Sequence, residues 1–367
     1  MQFSNGIFTL ELNIKQFGRQ LNKAAMMTDI HWGRKGNSPI HNQDCLDFCD
    51  WFCDQVRNDK TIDHVVFLGD WHENRSSLNL ATLKASFEGA KKINALGLPV
   101  FFIVGNHDLY NRHNRDIHGL HHLDELNNFI IIDEPVVYED VGDSTFFSPF
   151  LFQHEYSDLA EYLQYTVWMG HFEFKGFVIA GHSVVMPTGP DVNDFKGPDL
   201  IFSGHFHKRQ AMANVVYIGN TFPADFSDAG DNARGMCVYD HATKDVKFTD
   251  WLECPKYYRC LLSDLLEGKI KFSQHARVRC SVDIVISFEE SSKLKTLFVE
   301  KYKLREFGLE ESREMAAILS DTSFEDVDTT NPLKSVDELI LEMLTSIDSP
   351  QIDNELLVKI YRELPSL

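Results

Sequence analysis

The stretch Phe101 to Asp108, Phe-Phe-Ile-Val-Gly-Asn-His-Asp, decides the fold that this sequence predicts. An apolar run ends there in a glycine, which is followed by three side chains that can bind metal or move protons. A buried strand that stops at such a cluster places those side chains at the carboxyl edge of a sheet, where α/β proteins build their sites. The same pattern recurs four more times along the chain, so the sequence predicts one site assembled from five strand ends.

The remaining apolar patterns predict an α/β fold. Short buried strands alternate with amphipathic helices in the first hundred residues, which indicates parallel strands joined by crossover helices. From Phe129 onward short strands dominate until a break near Pro255, so we expect two sheets packed together with helices outside. In order, the predicted elements are strand 24–28, helix 42–57, strand 65–68, helix 78–96, strand 99–104, and strands 129–132, 136–139, 145–147, 167–170, 177–180, 200–203, 215–219 and 236–239.

The ends of the chain differ in character from this main domain, 24–255. Residues 1–23 form an N-terminal extension in which Phe8, Leu10, Leu12 and Ile14 alternate with polar residues, as in a strand with one buried face. Residues 256–319 predict a small α+β domain with a strand at 277–286 and helices at 292–304 and 309–319. An acidic linker, 320–334, leads to a tail, 335–367, whose two amphipathic patterns predict helices.

Composition narrows the class of protein. The chain has 367 residues, of which 43% are hydrophobic and 25% charged, as in a globular protein. No apolar run approaches the roughly 20 residues that span a bilayer, and the start lacks a signal-peptide pattern, so we expect a cytoplasmic protein without a membrane segment. The formal net charge of −20 argues against simple electrostatic binding of nucleic acid.

The odd number of cysteines, seven, argues against a disulfide framework. Cys45, Cys49 and Cys53 share one helix face and are expected to pack in the core.

The groups at the strand ends combine carboxylate, imidazole and amide oxygen. This mixture suits Mn²⁺, Zn²⁺ or Fe²⁺ better than Ca²⁺ or Mg²⁺. A single histidine after a strand is usually structural, but the same chemistry at five strand ends favours a metal site. The number of groups exceeds the need of one ion and matches two ions about 3.5–4 Å apart that share a carboxylate. The candidates are Asp29, His31, Asp70, Asn106, His107, His171, His205 and His207.

These motifs resemble the five signatures of the calcineurin-like metallophosphoesterases in order and spacing. They read Asp29-x-His31, Gly69-Asp70, Gly105-Asn106-His107-Asp108, Gly170-His171 and Gly204-His205-x-His207. The resemblance implies a four-layer β-sandwich flanked by helices, with the smaller domain as a cap. It places Asp29, His31, Asp70 and His207 on one metal ion, and Asp70, Asn106, His171 and His205 on the other.

The resemblance also implies a mechanism, which is in-line attack on phosphorus by a metal-bridging hydroxide. His107, not itself a ligand, would contact the phosphate and protonate or stabilise the leaving oxygen. Asp108 would lie behind the ligands and orient an imidazole.

Within this superfamily the chain resembles the SbcD-type nucleases of double-strand-break repair, especially their bacteriophage recombination-endonuclease relatives. The stretch from Gly170 to Gly176, the stretch from Tyr217 to Thr221 with Arg234-Gly235, and the order of domains carry this resemblance. It implies a Mn²⁺-dependent DNA nuclease, with Mg²⁺, Fe²⁺ or Zn²⁺ as alternatives. It further implies a homodimer and a tail that grips an SbcC-type coiled-coil ABC ATPase in an SbcCD-like complex.

The sequence departs from the family pattern after the bridging aspartate. Many members carry histidine or aspartate three residues later, where this chain has Glu73; His72, one residue earlier, is therefore a candidate for contact with the scissile phosphate or an exposed loop histidine. The loop with His113, His118, His121 and His122 is expected to flank the site, with Arg112 and Arg115 near a phosphate backbone.

Two alternatives remain open at this level. The same metal site would serve a phosphodiesterase or phosphatase that acts on a small molecule or a protein, and the acidity of the chain favours that class. A non-catalytic scaffold would have no need of the complete set of ligand-type residues together with His107.

Overall fold

The computed structural model describes residues 12–180 and 184–311, together with Thr345. The contact pattern divides the chain into two units, Met1–Ser312 and Arg313–Leu367, and nearly all described residues belong to the first. The predicted linker and tail helices, the first part of the N-terminal strand and the end of the predicted helix 309–319 lie outside the described residues.

The described part of the first unit contains eighteen strands, most of them short. Its strands are β1 (Ile14–Lys15), β2 (Lys23–Met27), β3 (His64–Phe67), β4 (Val100–Ile103), β5 (Phe129–Ile132), β6 (Val136–Tyr138), β7 (Thr145–Ser148), β8 (Val167–Gly170), β9 (Val178–Ala180), β10 (Val184–Val185), β11 (Leu200–Ser203), β12 (Gln210–Met212), β13 (Val215–Tyr217), β14 (Gly235–Asp240), β15 (Asp245–Asp250), β16 (Tyr257–Leu261), β17 (Arg277–Val282) and β18 (Glu306–Glu311).

Its α-helices are the four-residue α1 (Arg34–Asn37), α2 (Pro39–Asn58), α3 (Leu80–Asn94), α4 (Leu262–Leu266) and α5 (Phe288–Tyr302), and its 3₁₀ segments are His121–Leu123, Gln153–Tyr162, Val192–Asp194 and Phe226–Asp228.

Two large sheets form the centre. One has the strand order β15-β14-β2-β3-β4-β5, in which β2 to β5 are parallel; the other has the order β1-β6-β7-β8-β11-β13-β12. All four residues of β3 and all four of β4 are buried, as expected for parallel strands covered on both faces. A right-handed crossover through a helix is the usual connection between such strands, and α2 and α3 occupy those positions in the chain.

The layers are held by three apolar clusters. Between the sheets, alternate residues of both meet, for example Phe101 of β4 stacked on Phe147 of β7 with ring centroids 4.7 Å apart. The outer face of the six-stranded sheet packs on α2 and α3, and Cys45, Cys49 and Cys53 are buried there as predicted. The outer face of the seven-stranded sheet is covered by 3₁₀ segments and loops. This arrangement confirms the predicted four-layer α/β fold.

The predicted cap has its own three-stranded sheet, β16-β17-β18, all parallel, and its own apolar cluster with α4 and α5. Buried Asp44 of α2 contacts two cap arginines, Arg277 at 3.8 Å and Arg305. The hydroxyl of Tyr257 donates to the carbonyl oxygen of Ala224 at 2.8 Å. The cap and the two large sheets therefore belong to one compact unit.

Two sequence predictions about local structure are wrong. The helix expected from Leu309 begins as strand β18, because Phe307 and Leu309 pack in the cap cluster while Glu306 and Glu310 face solvent, which is the period of a strand. The N-terminal strand shrinks to two residues, and Ile14, expected on its buried face, is 46% exposed. Strands β10, β12, β15 and β16 were not predicted either. Within the described residues, no helix is long and apolar enough to cross a membrane.

Candidate metal centre

The predicted ligands follow strand ends from both large sheets, namely β2, β3 and β4 of one and β8 and β11 of the other. Four of them have the left-handed backbone that non-glycine residues rarely adopt, with φ of 52° at Asp29, 52° at His31, 62° at Asp70 and 88° at His205. Such conformations cost on the order of 1–3 kcal/mol each and persist where the surroundings fix them. Their concentration at these strand ends is itself an indication of a functional site.

Glycines next to these ligands allow the strand ends to approach closely. A Cβ atom on Gly105 would lie 2.2 Å from Oδ1 of Asp70. On Gly69, whose φ is +102°, it would lie 2.3 Å from Nδ1 of His171. Neither position has room for a side chain, which explains why glycine precedes the ligand in these motifs.

One group of side chains comes from β2 and from the end of the β11 loop. Nε2 of His31 lies 3.1 Å from Nε2 of His207, and these two nitrogens lie 3.8 and 3.9 Å from Oδ1 of Asp29. Oδ2 of Asp70 is 3.8 Å from Nε2 of His31. The structure thus brings together all four residues predicted to hold the first ion.

The second group lies next to the first. Oδ1 of Asn106 is 2.9 Å from Nε2 of His171 and 2.9 Å from Nδ1 of His205. Oδ2 of Asp70 is 3.4 Å from Nε2 of His171. The same carboxylate oxygen of Asp70 therefore reaches both groups, as a bridging ligand must.

The donor set fits a pair of divalent cations. Carboxylate oxygens and imidazole nitrogens converge within 4.8 Å of one another in overlapping groups of three, and most of these residues are buried. The amide oxygen of Asn106 lies 2.9 Å from nitrogens of His171 and His205. This is a mixture that borderline transition metals accept. The assignment of each residue as a metal ligand stays a prediction. The distances between their donor atoms are compatible with it.

Ionisation in the protein without cations is dominated by the two buried aspartates. Burial alone would lower the pKa of His31, but its contacts with Asp29 and Glu73 raise that pKa to about 10. In the same way Asp70 overcomes the effect of burial and raises the pKa of His171 to about 9. Burial, followed by the nearby His31, lowers the pKa of His207 to about 3. Protons on His31 and His171 balance the carboxylates, so we expect cation binding to release protons.

Glu73 contacts two predicted site residues, which the sequence analysis did not predict. Its Oε2 lies 2.9 Å from Nδ1 of His31, on the opposite side of the ring from the nitrogen that faces His207. Its carbonyl oxygen accepts a hydrogen bond from Nδ1 of His107 at 2.8 Å, and the backbone N–H of His107 donates to Oδ1 of Asp70 at 2.8 Å. One residue thus orients a predicted ligand and the predicted catalytic histidine. The available signal was its place three residues after Asp70.

Glu173 has the same relation to the second group. Its Oε2 lies 3.1 Å from Nε2 of His205, whose Nδ1 faces Asn106. Carboxylates behind metal-binding imidazoles fix the ring orientation and increase its basicity. The sequence offered a signal here too, since Glu173 lies two residues after His171.

The structure contradicts the prediction that His72 reaches the scissile phosphate. The residue is 1% exposed, its Nε2 is 3.0 Å from Oγ of Ser86 on α3, and burial, followed by nearby His122, lowers its pKa to about 3. The backbone of His72 bridges to Trp32, and this extended pairing directs the side chain of His72 toward α3 and leaves Glu73 at the site.

Asp108 lies behind the ligands as predicted, but it orients backbone rather than an imidazole. Its Oδ2 accepts hydrogen bonds from the N–H groups of Asp70 and Gly105 at 3.0 and 2.9 Å. Its Oδ1 accepts from Trp71 and His72 at 3.0 and 3.1 Å. Burial and the neighbouring Asp70 raise the pKa of Asp108 to about 7. The side chain joins the two loops that follow β3 and β4.

Side-chain contacts fix part of the loop that follows His107. Arg115 pairs with Glu155 and donates to the carbonyl oxygen of Phe150 at 2.8 Å, so it does not extend toward a phosphate backbone. Arg112 is exposed and makes no ion pair within the described residues. The rings of His118 and His121 stack with centroids 3.8 Å apart, and the described residues of this loop form no metal-binding group.

Comparison with known proteins agrees with this geometry. The model of the family described as calcineurin-like phosphoesterase matches residues 23–209, just over half of the chain. "Exonuclease subunit 1" of Enterobacteria phage T4 is 25% identical over 187 residues, which are 49% of this chain and 53% of that relative. The chain therefore spans about half the length of the curated relative that it matches.

Two solved structures show weaker likeness. A dimetal phosphatase from Danio rerio aligns with a TM-score of 0.38 and 10% identity, covering 60% of this chain and 93% of that one. The nuclease MPE of Pseudomonas putida aligns with a TM-score of 0.29 and 16% identity, covering 60% of this chain and 85% of that one. Scores at this level carry no argument about function. The family match and the convergence of its motif residues agree, and the chain belongs to the calcineurin-like phosphoesterases.

Proposed function

We propose that this protein is a two-metal, Mn²⁺-dependent DNA nuclease and the catalytic subunit of an SbcCD-like recombination and repair complex. Membership of the phosphoesterase family supports a metal-dependent hydrolase. The observation that carries the two-metal hydrolase is the pair of ligand groups that share Asp70 beside His107. The similarity to a phage protein named as an exonuclease subunit favours a nucleic acid as substrate.

The chain supplies a definite role for each residue. Asp29, His31 and His207 with Asp70 would hold one ion, and Asn106, His171 and His205 with Asp70 the other. When bound, two divalent cations lower the pKa of a water molecule and neutralise the charge that builds on phosphoryl oxygens.

His107 is held at both Nδ1 and its backbone N–H. This leaves Nε2 as the atom that would contact the phosphate and, when the ring carries a second proton, donate that proton to the leaving oxygen.

The acidity of the chain leaves a phosphodiesterase or phosphatase that acts on a small molecule or a protein as the rival. Linear double-stranded DNA should be incubated with the protein and Mn²⁺, with and without EDTA, beside a chromogenic phosphodiester. We expect EDTA-sensitive degradation that His107→Ala loses. His113→Ala, which removes an exposed histidine of the same loop, should keep it. Turnover of the chromogenic ester with DNA left intact would assign the protein to the rival class.

The partner is proposed from sequence resemblance alone. Residues 335–367 would bind the coiled-coil base of an SbcC-type ABC ATPase, the catalytic domain would form a homodimer, and the complex would act in the cytoplasm. Deleting 335–367 should abolish co-purification with the ATPase and preserve hydrolysis of the chromogenic ester. Retention of the ATPase by the truncated protein would contradict this assignment.

A further inference from the structure

A cleft of about 180 Å³ opens beside the second ligand group. Its lining includes Phe150, Phe152, Tyr156, Glu173 and Arg112, and we call it the aromatic cleft. The ring of Phe150 lies 5.8 Å from that of His205 and 6.2 Å from that of His171, between centroids. Glu173 contacts His205 directly. The cleft is therefore contiguous with the predicted metal centre, on the side of Asn106, His171 and His205.

The walls of the aromatic cleft are fixed by contacts outside it. The guanidinium of Arg115 lies over the ring of Phe152, 4.9 Å from its centroid, and also donates to the carbonyl oxygen of Phe150. The backbone N–H of Phe150 donates to the carbonyl oxygen of Val104 at 2.9 Å. These contacts hold the two phenylalanine rings at 90°, with centroids 6.0 Å apart. The aromatic surfaces are thus preorganised.

The other walls are equally constrained. The N–H of Glu173 donates to the hydroxyl of Tyr156 at 2.8 Å. Gly189 has a φ of +103°, and a Cβ there would lie 2.6 Å from the carbonyl oxygen of Glu173. The loop that carries Gly189 therefore packs directly on the strand end that carries Glu173.

The charged residues that line the cleft are Arg112 and Glu173, and Glu173 contacts His205. Arg112 is exposed, and it makes no ion pair with any residue that the structure describes. Burial and the neighbouring Arg112 lower the pKa of Arg75, so the two arginines are close enough to repel. An exposed arginine at the cleft that has no ion pair among the described residues, in a chain of net charge −20, marks a position for an anionic ligand.

We propose that the aromatic cleft binds the unstacked base of a nucleotide that adjoins the scissile phosphate, while Arg112 contacts the backbone phosphate. This inference rests on the proposed nuclease function. Aromatic side chains stack on any nucleobase, and a basic residue follows the backbone, which is the combination found here. The nucleotide next to the scissile phosphate is the natural occupant, because Phe150 and Glu173 of the lining contact the histidines of the second ligand group.

The test uses a labelled DNA strand, in whichever form the wild-type protein degrades. A single abasic residue is placed at a defined position, and cleavage of the bond on each side is followed on a sequencing gel in Mn²⁺. On one side of the abasic residue we expect wild-type cleavage to slow about 10- to 100-fold, a loss that one base–aromatic contact accounts for. The Phe152→Leu variant should cleave even the intact strand slowly. Removal of the base should then change the cleavage rate of this variant by less than about 3-fold.

A matched control separates stacking from general damage. Phe248 is a half-buried phenylalanine beneath Arg209, 4.2 Å from its guanidinium, on the distant strand β15. Phe248→Leu should show the full wild-type dependence on the base. Arg112→Gln should raise KM equally for intact and abasic strands.

The outcomes are distinct. An equal effect of base removal in wild type and Phe152→Leu would overturn the inference and leave the nuclease assignment standing. Failure of the wild-type protein to degrade DNA in any form, with hydrolysis of the chromogenic ester retained, would refute the nuclease function and with it the inference.

Discussion

Replacing Glu73 with glutamine should weaken metal activation without displacing the catalytic histidine. The carboxylate lies 2.9 Å from Nδ1 of His31, while His107 is held by the backbone carbonyl of residue 73, which the substitution keeps. Glutamine retains an oxygen that can accept from Nδ1, so only the negative charge is lost. Removal of such an outer carboxylate costs about 10- to 100-fold in metal affinity, or about 1.4–2.7 kcal/mol.

The lower part of that range is expected, because 27% of the Glu73 side chain is exposed and solvent screens its charge. The assay is the initial rate of chromogenic phosphodiester hydrolysis as Mn²⁺ is increased, together with calorimetric titration of the metal. The half-activating Mn²⁺ concentration should rise about 10- to 30-fold, and kcat at saturating metal should remain within a few-fold of wild type.

The matched control is Glu139→Gln. The carboxylate of Glu139 is exposed and accepts a hydrogen bond from the side chain of Gln16 at 2.9 Å, outside the predicted metal centre. It should activate as the wild type does. If Glu73→Gln and Glu139→Gln required the same Mn²⁺ concentration, the argument that Glu73 tunes His31 would be refuted.

Three further predictions concern the structure around the site and the core. In Asp108→Asn, two of the four backbone N–H groups that now donate to the carboxylate would face the amide NH₂ group instead. We expect the free energy of unfolding, measured in urea, to fall by roughly 3 kcal/mol. The exposed Asp116→Asn is the control, and an equal effect of both substitutions would contradict the prediction. Gly105→Ala should reduce metal-dependent activity about 100-fold by displacing Asp70. Gly308→Ala is the control, because a Cβ atom there would meet nothing closer than 3.9 Å, and it should keep full activity. Full activity in both variants would show that the loop around Gly105 can move to accept a methyl group. Burial, with nearby His64, lowers the pKa of His241 to about 3, so its stabilising effect is present near neutral pH and declines as pH falls below the unfolded value of about 6.5. Between pH 7 and pH 5 wild type should therefore lose about 2 kcal/mol more unfolding free energy than His241→Gln, and parallel pH dependences would rule this out.

Much of the fold could be predicted because its signals are local. Short apolar runs that end in Gly-Asp, Gly-Asn-His-Asp or Gly-His-x-His define both a buried strand and the ligands after it. The strands 129–132, 167–170 and 200–203 have the bounds that the sequence predicted. Ligand chemistry is a property of residue type, so the candidate metal residues could be named before any coordinates, and the structure places all seven together.

Tertiary structure alone decided which of two adjacent residues serves the site. His72 and Glu73 both carry suitable chemistry, and the extended pairing of this segment with Trp32 directs one toward α3 and the other toward His31. The strand at 306–311 likewise depends on pairing with β17, which no local propensity encodes.

The aromatic cleft is the clearest case of a nonlocal feature. It joins the loop at 112, the segment 150–156, Glu173 and the loop at 188–190, which are far apart in the chain. The sequence by itself determined most strands of the two large sheets, the candidate ligands that follow them and the family. Which side chains meet around those ligands depends on the packing of loops from different strands, because a loop's position is set by its partners and not by its own residues.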